Sequence, residues 1–308
     1  MFSSTQTPAG RFAPSPTGPL HLGSLIAALG SYLIARKTGR RWLLRIDDLD
    51  RPRVVEGAAD GIIRLLEVLG FEWDAVPVWQ SHRAERYAEV LQQFKKDGLV
   101  YPCSCTRKEI LASAPHAGEE GPIYPGTCRN GLAGNRQNFS WRLRVDQHPI
   151  RFSDRVKGDW QQNLEDEVGD FVLFRSDGIY AYQLATVVDD LDSGIDQVVR
   201  GADLLGSTAR QIYLYRCMKR ESPEYFHLPL LLGSDDEKIS KRHGEVGVVR
   251  AENSSAMMQL ALVFINHRLP PELFGAPAEQ MLNWALDSFE DTLLPQDDRQ
   301  FSSLLESR

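Results

Sequence analysis

The chain has 308 residues, and 42 Asp and Glu against 35 Lys and Arg give it a formal net charge of −7. At roughly 150 residues per domain there is room for about two domains with a real core, and 42% apolar with 25% charged residues excludes a disordered, collagen-like or coiled-coil chain. A polybasic coat for nucleic acid is excluded as well, so any RNA contact has to come from a local basic patch on an acidic protein.

Residues 1–10 are polar and hold no apolar core, so no secretory leader is expected there. The longest uncharged run, between Arg11 and Arg36, is broken by Pro14, Pro16, Pro19 and Gly23. It is too punctuated for a membrane span and reads as a turn followed by a buried helix. Cysteines at 103, 105, 128 and 217, with no sign of export, point to reduced thiols and a cytoplasmic protein that avoids membranes.

In chain order, Arg11 to Ala13 reads as a short strand and Pro14 to Pro19 as a turn. From Gly23 to about Lys37 the pattern is helical and apolar on all sides, which places that helix inside a core. Trp42 to Ile46 is a buried strand. Helices follow near Glu56 to Leu69, stopped by Gly70, and from about Ser81 to Asp97, stopped by Gly98. Strand–helix–strand–helix over the first hundred residues predicts α/β with a parallel sheet. From Tyr101 the texture changes to Gly, Pro and short strand-like runs (Phe139 to Val145, Phe171 to Arg175), as an inserted subdomain would. Alternation returns from Leu184 to about Leu232; a charged loop, a helix near Ser254 to His267 and a fraying polar tail complete the chain.

Two motifs carry chemistry. In Arg11-Phe-Ala-Pro-Ser15-Pro-Thr-Gly-Pro-Leu-His21-Leu-Gly23-Ser24 a strand runs through a turn into a helix start, where backbone N–H groups and the helix dipole suit a phosphate. Gly23 permits close approach of a nucleotide, and His21 can donate to phosphate oxygen or merely cap the helix. Far downstream, Lys238-Ile-Ser240-Lys241-Arg242 can neutralise a triphosphate, although alone it would read as a solvated basic loop.

Together the two motifs resemble the signatures of class I aminoacyl-tRNA synthetases, specifically the glutamyl branch. The likeness covers about residues 8–265 and includes Arg45-Ile-Asp47-Asp-Leu-Asp50, Tyr182, Val187-Val-Asp-Asp190 and Val199-Arg200-Gly-Ala-Asp-Leu-Leu205. It implies an α/β, Rossmann-type parallel-sheet catalytic domain with an inserted zinc-bearing subdomain and a short helical C-terminal region. The expected division is residues 8–100 and 184–245 for the two Rossmann halves, 101–183 for the insertion and 246–308 for the helical end. The implied reaction joins L-glutamate and ATP, carried with Mg²⁺, into glutamyl-adenylate. His21 and Lys241 would be catalytic. His21, Gly23, Lys238, Ser240 and Lys241 would bind ATP, and Arg11, Ser15, Asp47, Tyr182 and Arg200 would bind glutamate. The family usually carries Glu at the position of Asp47, one methylene longer, so a water or a backbone shift is expected there.

Only 67 residues follow Lys241, too few for the helical anticodon-binding region of glutamyl-tRNA synthetases. The truncated paralogues of that enzyme attach glutamate to the queuosine base in the anticodon loop of aspartate tRNA, and the resemblance implies that partner, with the protein acting as a monomer. Charging of a tRNA 3′ end with a separate anticodon module, and a non-catalytic RNA-binding relic, are the competing readings.

Cys103-x-Cys105 and Tyr124-x-x-x-Cys128 supply three thiolates for zinc. His116 is the ordinary chemical choice of fourth ligand, whereas the resemblance implies Tyr124 and one structural zinc. Asp189, Asp190, Asp192 and Asp196 suggest capping and loop hydrogen bonds rather than magnesium. Arg210, Arg216, Lys219 and Arg220 are the expected RNA-facing patch.

Overall fold

The computed structural model describes residues 7–113, 117–118, 121–132, 137–233 and 247–306. At its centre is a five-stranded, fully parallel sheet. The strands are β1 (Ala9–Phe12), β2 (Arg41–Ile46), β3 (Val78–Trp79) and, after the long insertion, the pair Ile195–Gly201 and Glu224–Leu228. Between β3 and that pair lie Val100–Cys103 (β4), Ser140–Leu143 (β5), the hairpin Ile150–Asp154 and Gly158–Gln162 (β6 and β7) and Val172–Phe174 (β8). The pair are therefore β9 and β10, and the sheet order is β10-β9-β1-β2-β3. From β1 the chain winds outward through β2 and β3, then returns to the other side of β1 with β9. The sheet thus has a topological switch point beside β1, where the carboxyl ends of adjacent strands diverge and ligands bind in open α/β sheets.

Helix α1 (Leu22–Lys37) packs on one face of the sheet with α2 (Ala58–Val68) and two later helices, Ser254–Phe264 and Ala278–Ser288. Helices α3 (Ala84–Lys96), α4 (Tyr182–Asp192) and α5 (Leu205–Cys217) cover the other; the later pair are α6 and α7. Being covered on nearly every side explains why α1 is apolar all round, as its sequence predicts. Gly30 lets it close on the sheet: a Cβ there would sit 2.6 Å from Leu228 Cδ1. Trp42 is fully buried beneath Tyr32 and Phe71, its ring 5.0 and 5.6 Å from theirs, and its indole N–H donates to Ser31. Each aromatic pair adds about 0.5–1.5 kcal/mol to the burial itself.

The two-residue period of the strands sorts the sheet's side chains. Phe12, Trp42, Leu44, Val199, Phe226 and Leu228 join the core under α1, whereas Ala9, Val198 and Tyr225 join the core under α4 and α5. By the same parity Arg11, Arg45, Arg200 and His227 fall on the α4 face, four buried polar groups beside the apolar side chains of that core.

In the insertion, β4, β5 and β8 form an antiparallel sheet in the order β8-β5-β4. The β6–β7 hairpin was not predicted from the sequence; its first strand packs beside β10, where Arg155 N–H donates to the Tyr225 carbonyl. The polar tail does not fray as its composition predicts. Arg299–Gln300 pairs in parallel with Leu231–Leu232, Leu304 is buried, and the Arg299 guanidinium donates to the Val263 and Phe264 carbonyls that end α6. Both carbonyls lie in the last turn, and with the Asn266 N–H also donating to Val263 the arginine completes the C-terminal cap.

Candidate active site

A cavity of about 330 Å³ opens at the switch point. Its wall comes from the end of β1 (Arg11 to Ser15), the start of α1 (His21, Gly23, Ser24), Tyr182 of α4, the end of β9 (Arg200, Gly201) and the segment after β10 (Leu228 to Leu231). Of the residues singled out in the sequence, Arg11, Ser15, His21, Gly23, Tyr182 and Arg200 line this one space.

His21 is the N-cap of α1: its Nδ1 accepts the Ser24 N–H at 3.2 Å, and Nε2 lies 3.1 Å from the Ser24 hydroxyl. The ring therefore folds back over the helix start. A Cβ at Gly23 would lie 3.2 Å from Nδ1, so glycine is what leaves room for it. Phosphate binding and capping are thus compatible roles, since the imidazole is held where the helix N–H groups point. Lys238, Ser240 and Lys241 lie outside the described residues, but the chain on both sides of them is anchored here. Leu231 lines the cavity, Leu22 N–H donates to the Gly247 carbonyl at 2.7 Å, and Val248 bridges His21.

Behind Arg11 lies a network of charged groups. Asp190 of α4 accepts from Arg11 Nε at 3.2 Å and from Arg45 Nη1 at 2.5 Å. Burial pushes the Asp190 carboxyl up, but the two guanidinium charges outweigh burial and hold it below the usual carboxylate range. Asp189 accepts from Arg83, Gln80 and Tyr87, Asp192 from Arg83 and Arg86, and Asp196 from Arg40. Asp190 thus ties α4 to β1 and β2, Asp189 and Asp192 tie it to α3 and the turn before that helix, and Asp196 of β9 holds Arg40; these are ion pairs and hydrogen bonds between elements, where the sequence suggests capping and loop contacts.

Asp47 departs from expectation. It is not in the cavity wall; its carboxylate faces Arg45, Oδ1 2.7 Å from Nε and Oδ2 3.4 Å from Nη2. The short side chain reaches the arginine two residues back along its own strand end. Burial raises its pKa to about 6, against the pull of Arg45.

Arg200 is the buried group that the cavity leaves incomplete. Its Nε donates to His227 Nε2 at 3.0 Å and its Nη2 to Thr208 Oγ1 at 2.8 Å, while Nη1 is buried without a hydrogen-bond partner among the described residues. His227, opposite Arg200 in the β9–β10 register, lies in turn 2.6 Å through Nδ1 from Asp154 Oδ2. Neither His227 nor Asp154 carries a sequence signal: they are 73 positions apart and belong to no short motif.

The three cysteines converge as their spacing implies. The Sγ atoms of Cys103, Cys105 and Cys128 all lie within 4.8 Å of one another, Cys105 and Cys128 at 3.5 Å. The Tyr124 hydroxyl is 3.3 Å from Cys103 Sγ and 3.7 Å from Cys105 Sγ. Tetrahedral zinc at about 2.3 Å from each sulfur would set sulfurs about 3.8 Å apart, so the set fits a metal. Burial pushes the Cys105 thiol up to about 11, so loading a metal there must expel protons. His116 lies outside the described residues. Cys217 is half-buried at the end of α5, away from this cluster.

The expected RNA-facing residues do not form one patch. Arg210 lines a cavity of about 560 Å³ with Arg107, Arg142, Arg175 and Tyr124, beside the cysteines. Lys219 and Arg220 lie past the other end of α5, in a groove they share with Glu89, Asp97 and Asp192. Arg210 lies in the middle of α5 (Leu205–Cys217) and Lys219 just past its end, about 13 Å further along the axis at 1.5 Å per residue.

Residues 9–266 match the catalytic domain of class I tRNA synthetases (E and Q), and the chain belongs to that family of ATP-dependent, ligase-type enzymes. It is 50% identical over 288 residues to a protein of Dechloromonas aromatica, covering 93% of this chain and 95% of the relative. It is 47% identical over 300 residues to one of Geobacter sulfurreducens, covering 95% and 96%. Both relatives are named glutamyl-Q tRNA(Asp) synthetase. The fold also matches the crystal structure of a glutamate tRNA ligase from Elizabethkingia meningosepticum in complex with its amino acid, with a TM-score of 0.79 and 25% identity over 96% of this chain and 67% of that one. Among the described residues no helix is long and apolar enough to cross a membrane.

Proposed function

We propose that the chain activates L-glutamate with ATP-Mg²⁺ and transfers the glutamyl group to the queuosine base in the anticodon loop of tRNA(Asp). The observation that carries the glutamate half is Arg200 Nη1, a buried cationic donor with no partner among the described residues, on an arginine that lines the cavity together with Arg11. An unsatisfied buried donor is costly, and a substrate carboxylate would satisfy it. Arg11, Arg200 and Tyr182 then hold the side-chain carboxylate. Ser15 takes the ammonium, and Asp47 supports that end through the field of its Arg45 pair. The queuosine half rests on the names of the relatives.

In the first step an α-carboxylate oxygen attacks the α-phosphorus and pyrophosphate leaves. His21, at the helix start, and Lys241 stabilise charge on the phosphates, with Gly23, Lys238 and Ser240 completing the nucleotide site and Mg²⁺ arriving on ATP. In the second step a queuosine hydroxyl attacks the adenylate carbonyl and AMP departs, its phosphate taking the hydroxyl proton. The cavity of Arg107, Arg142, Arg175 and Arg210 is the better candidate for the RNA backbone, because its arginines outnumber Glu167 and Asp177, whereas Arg86, Lys219 and Arg220 are matched in their groove by Glu89, Asp97 and Asp192. The catalytic work falls to residues 8–100 and 184–245, with 101–183 as the metal-bearing insertion.

The test combines two assays. Glutamate alone, without tRNA, supports ATP–pyrophosphate exchange, and aspartate, one methylene shorter, supports it poorly. Labelled glutamate then enters tRNA(Asp) that carries queuosine and not tRNA that lacks it, and mapping puts the label in the anticodon loop. Label at the 3′ end would favour the synthetase reading, and no exchange at all the RNA-binding relic.

The metal is zinc in this reading, held by Cys103, Cys105, Cys128 and Tyr124 and structural in role. Purified protein carries about one zinc per chain, and Cys103→Ser lowers zinc content and stability together, because the binding energy is folding energy. Elemental analysis of Tyr124→Phe and His116→Ala identifies the fourth ligand: loss of zinc only in the histidine variant would exclude the phenol.

A further inference from the structure

We propose that His227, held in one tautomer by Asp154, is a positioning residue that aims Arg200 at the carboxylate of the amino-acid substrate. The inference rests on the glutamate reading of the cavity and adds to it the groups that set the arginine's orientation.

Three donor edges of the Arg200 guanidinium matter. Nε donates to His227 Nε2 at 3.0 Å, so that ring nitrogen must be the unprotonated one. Nη2 donates to Thr208 Oγ1 at 2.8 Å, and that hydroxyl is also 3.1 Å from His227 Nε2. Two edges of the fork are therefore fixed by the protein, and the third, Nη1, has no partner among the described residues, on an arginine that lines the cavity. Since Nε2 accepts, the ring proton sits on Nδ1, which points at Asp154 Oδ2 at 2.6 Å. The other carboxylate oxygen, Oδ1, accepts the backbone N–H groups of Val156, Lys157 and His227 at 3.0, 2.8 and 3.2 Å, so the carboxylate cannot rotate without losing them. His227 and Asp154 are both buried, and burial, first among the causes, lowers the histidine pKa to about 4, which keeps the ring neutral beside the arginine. A protonated ring would present a second donor to Arg200. Asp154 belongs to the β6 strand of the insertion, so the inserted subdomain reaches the arginine through two hydrogen bonds.

Asp154→Asn separates this role from mere packing. The three backbone N–H groups keep the amide oxygen on their side, so the amide NH₂ faces His227 Nδ1. The ring proton must then move to Nε2, where it meets Arg200 Nε, donor against donor. His227→Leu removes the acceptor, and His227→Gln restores one, since its Oε1 can stand near the Nε2 position.

The measurement is ATP–pyrophosphate exchange with glutamate and ATP each varied. The expected result for Asp154→Asn and His227→Leu is a glutamate KM raised about 10- to 100-fold, the range of a lost hydrogen bond to a charged group. The ATP KM should stay within about twofold, and His227→Gln should recover most of the loss. An unchanged glutamate KM in folded Asp154→Asn protein, or equal rises in both KM values, overturns the proposal. Nitrogen-15 NMR of the unsubstituted protein provides an independent readout that needs no variant to fold: His227 should be protonated at Nδ1 and bare at Nε2, and a proton on Nε2 overturns the inference. Wild-type protein without glutamate-dependent exchange would refute the glutamate reading instead, and leave the tautomer result to stand by itself.

Discussion

Lys241→Ala lowers glutamate-dependent ATP–pyrophosphate exchange on the order of a hundredfold while the glutamate KM changes little. The attack of the carboxylate on the α-phosphorus builds negative charge on the phosphate oxygens as pyrophosphate departs. A cation placed for that moment contributes about 3 kcal/mol to the transition state and little to the bound amino acid. The residues proposed for the amino acid (Arg11, Tyr182, Arg200) come from β1, α4 and β9, other parts of the chain than the segment that bears the lysine. The described chain on either side of that segment borders the cavity at Leu231 and His21 at Val248. Steady-state exchange with ATP and glutamate varied in turn gives the separation. A near wild-type rate would return Lys238 to Arg242 to a solvated basic segment.

Asp190→Leu destabilises the protein by about 3–5 kcal/mol, the range for stripping one partner from a buried ion network. Asp190 sits between Arg11 and Arg45, and its loss leaves Arg11 without its carboxylate on a buried sheet face. Arg45 keeps Asp47, so it suffers less. Urea unfolding should show a lower midpoint with an unchanged slope; a midpoint equal to wild type would mean that water already screens the pair. Because the folded pKa of Asp190 is lowered, its stabilisation is full above about pH 4, the unfolded value, and is lost as pH falls through the folded value. The gap between wild type and Asp190→Asn therefore narrows in acid. Asp47 has the opposite sign: with its pKa raised to about 6, its contribution is full below the unfolded value and is lost as pH rises through 6.

What the sequence determined by itself was local or periodic. The all-round apolar pattern of residues 23–37 could only be a helix covered on nearly every side, and the strand–helix alternation could only close as a parallel sheet. His21 at a helix start and the close spacing of Cys103, Cys105 and Cys128 were legible because each needs only a few residues of context. The tertiary structure decided which groups meet across long separations. Strand register set Arg200 opposite His227, and a hairpin from the insertion brought Asp154 to it. Asp47 met Arg45 at the end of its own strand, and Arg210 came to line a different cavity from Lys219 and Arg220. The tail docked because Leu304 and the last-turn carbonyls of α6 found partners, which its polar composition does not reveal. Periodicity tells which face a residue occupies; a hydrogen-bond partner 73 positions away is chosen by register and packing, and these exist only once the chain has folded.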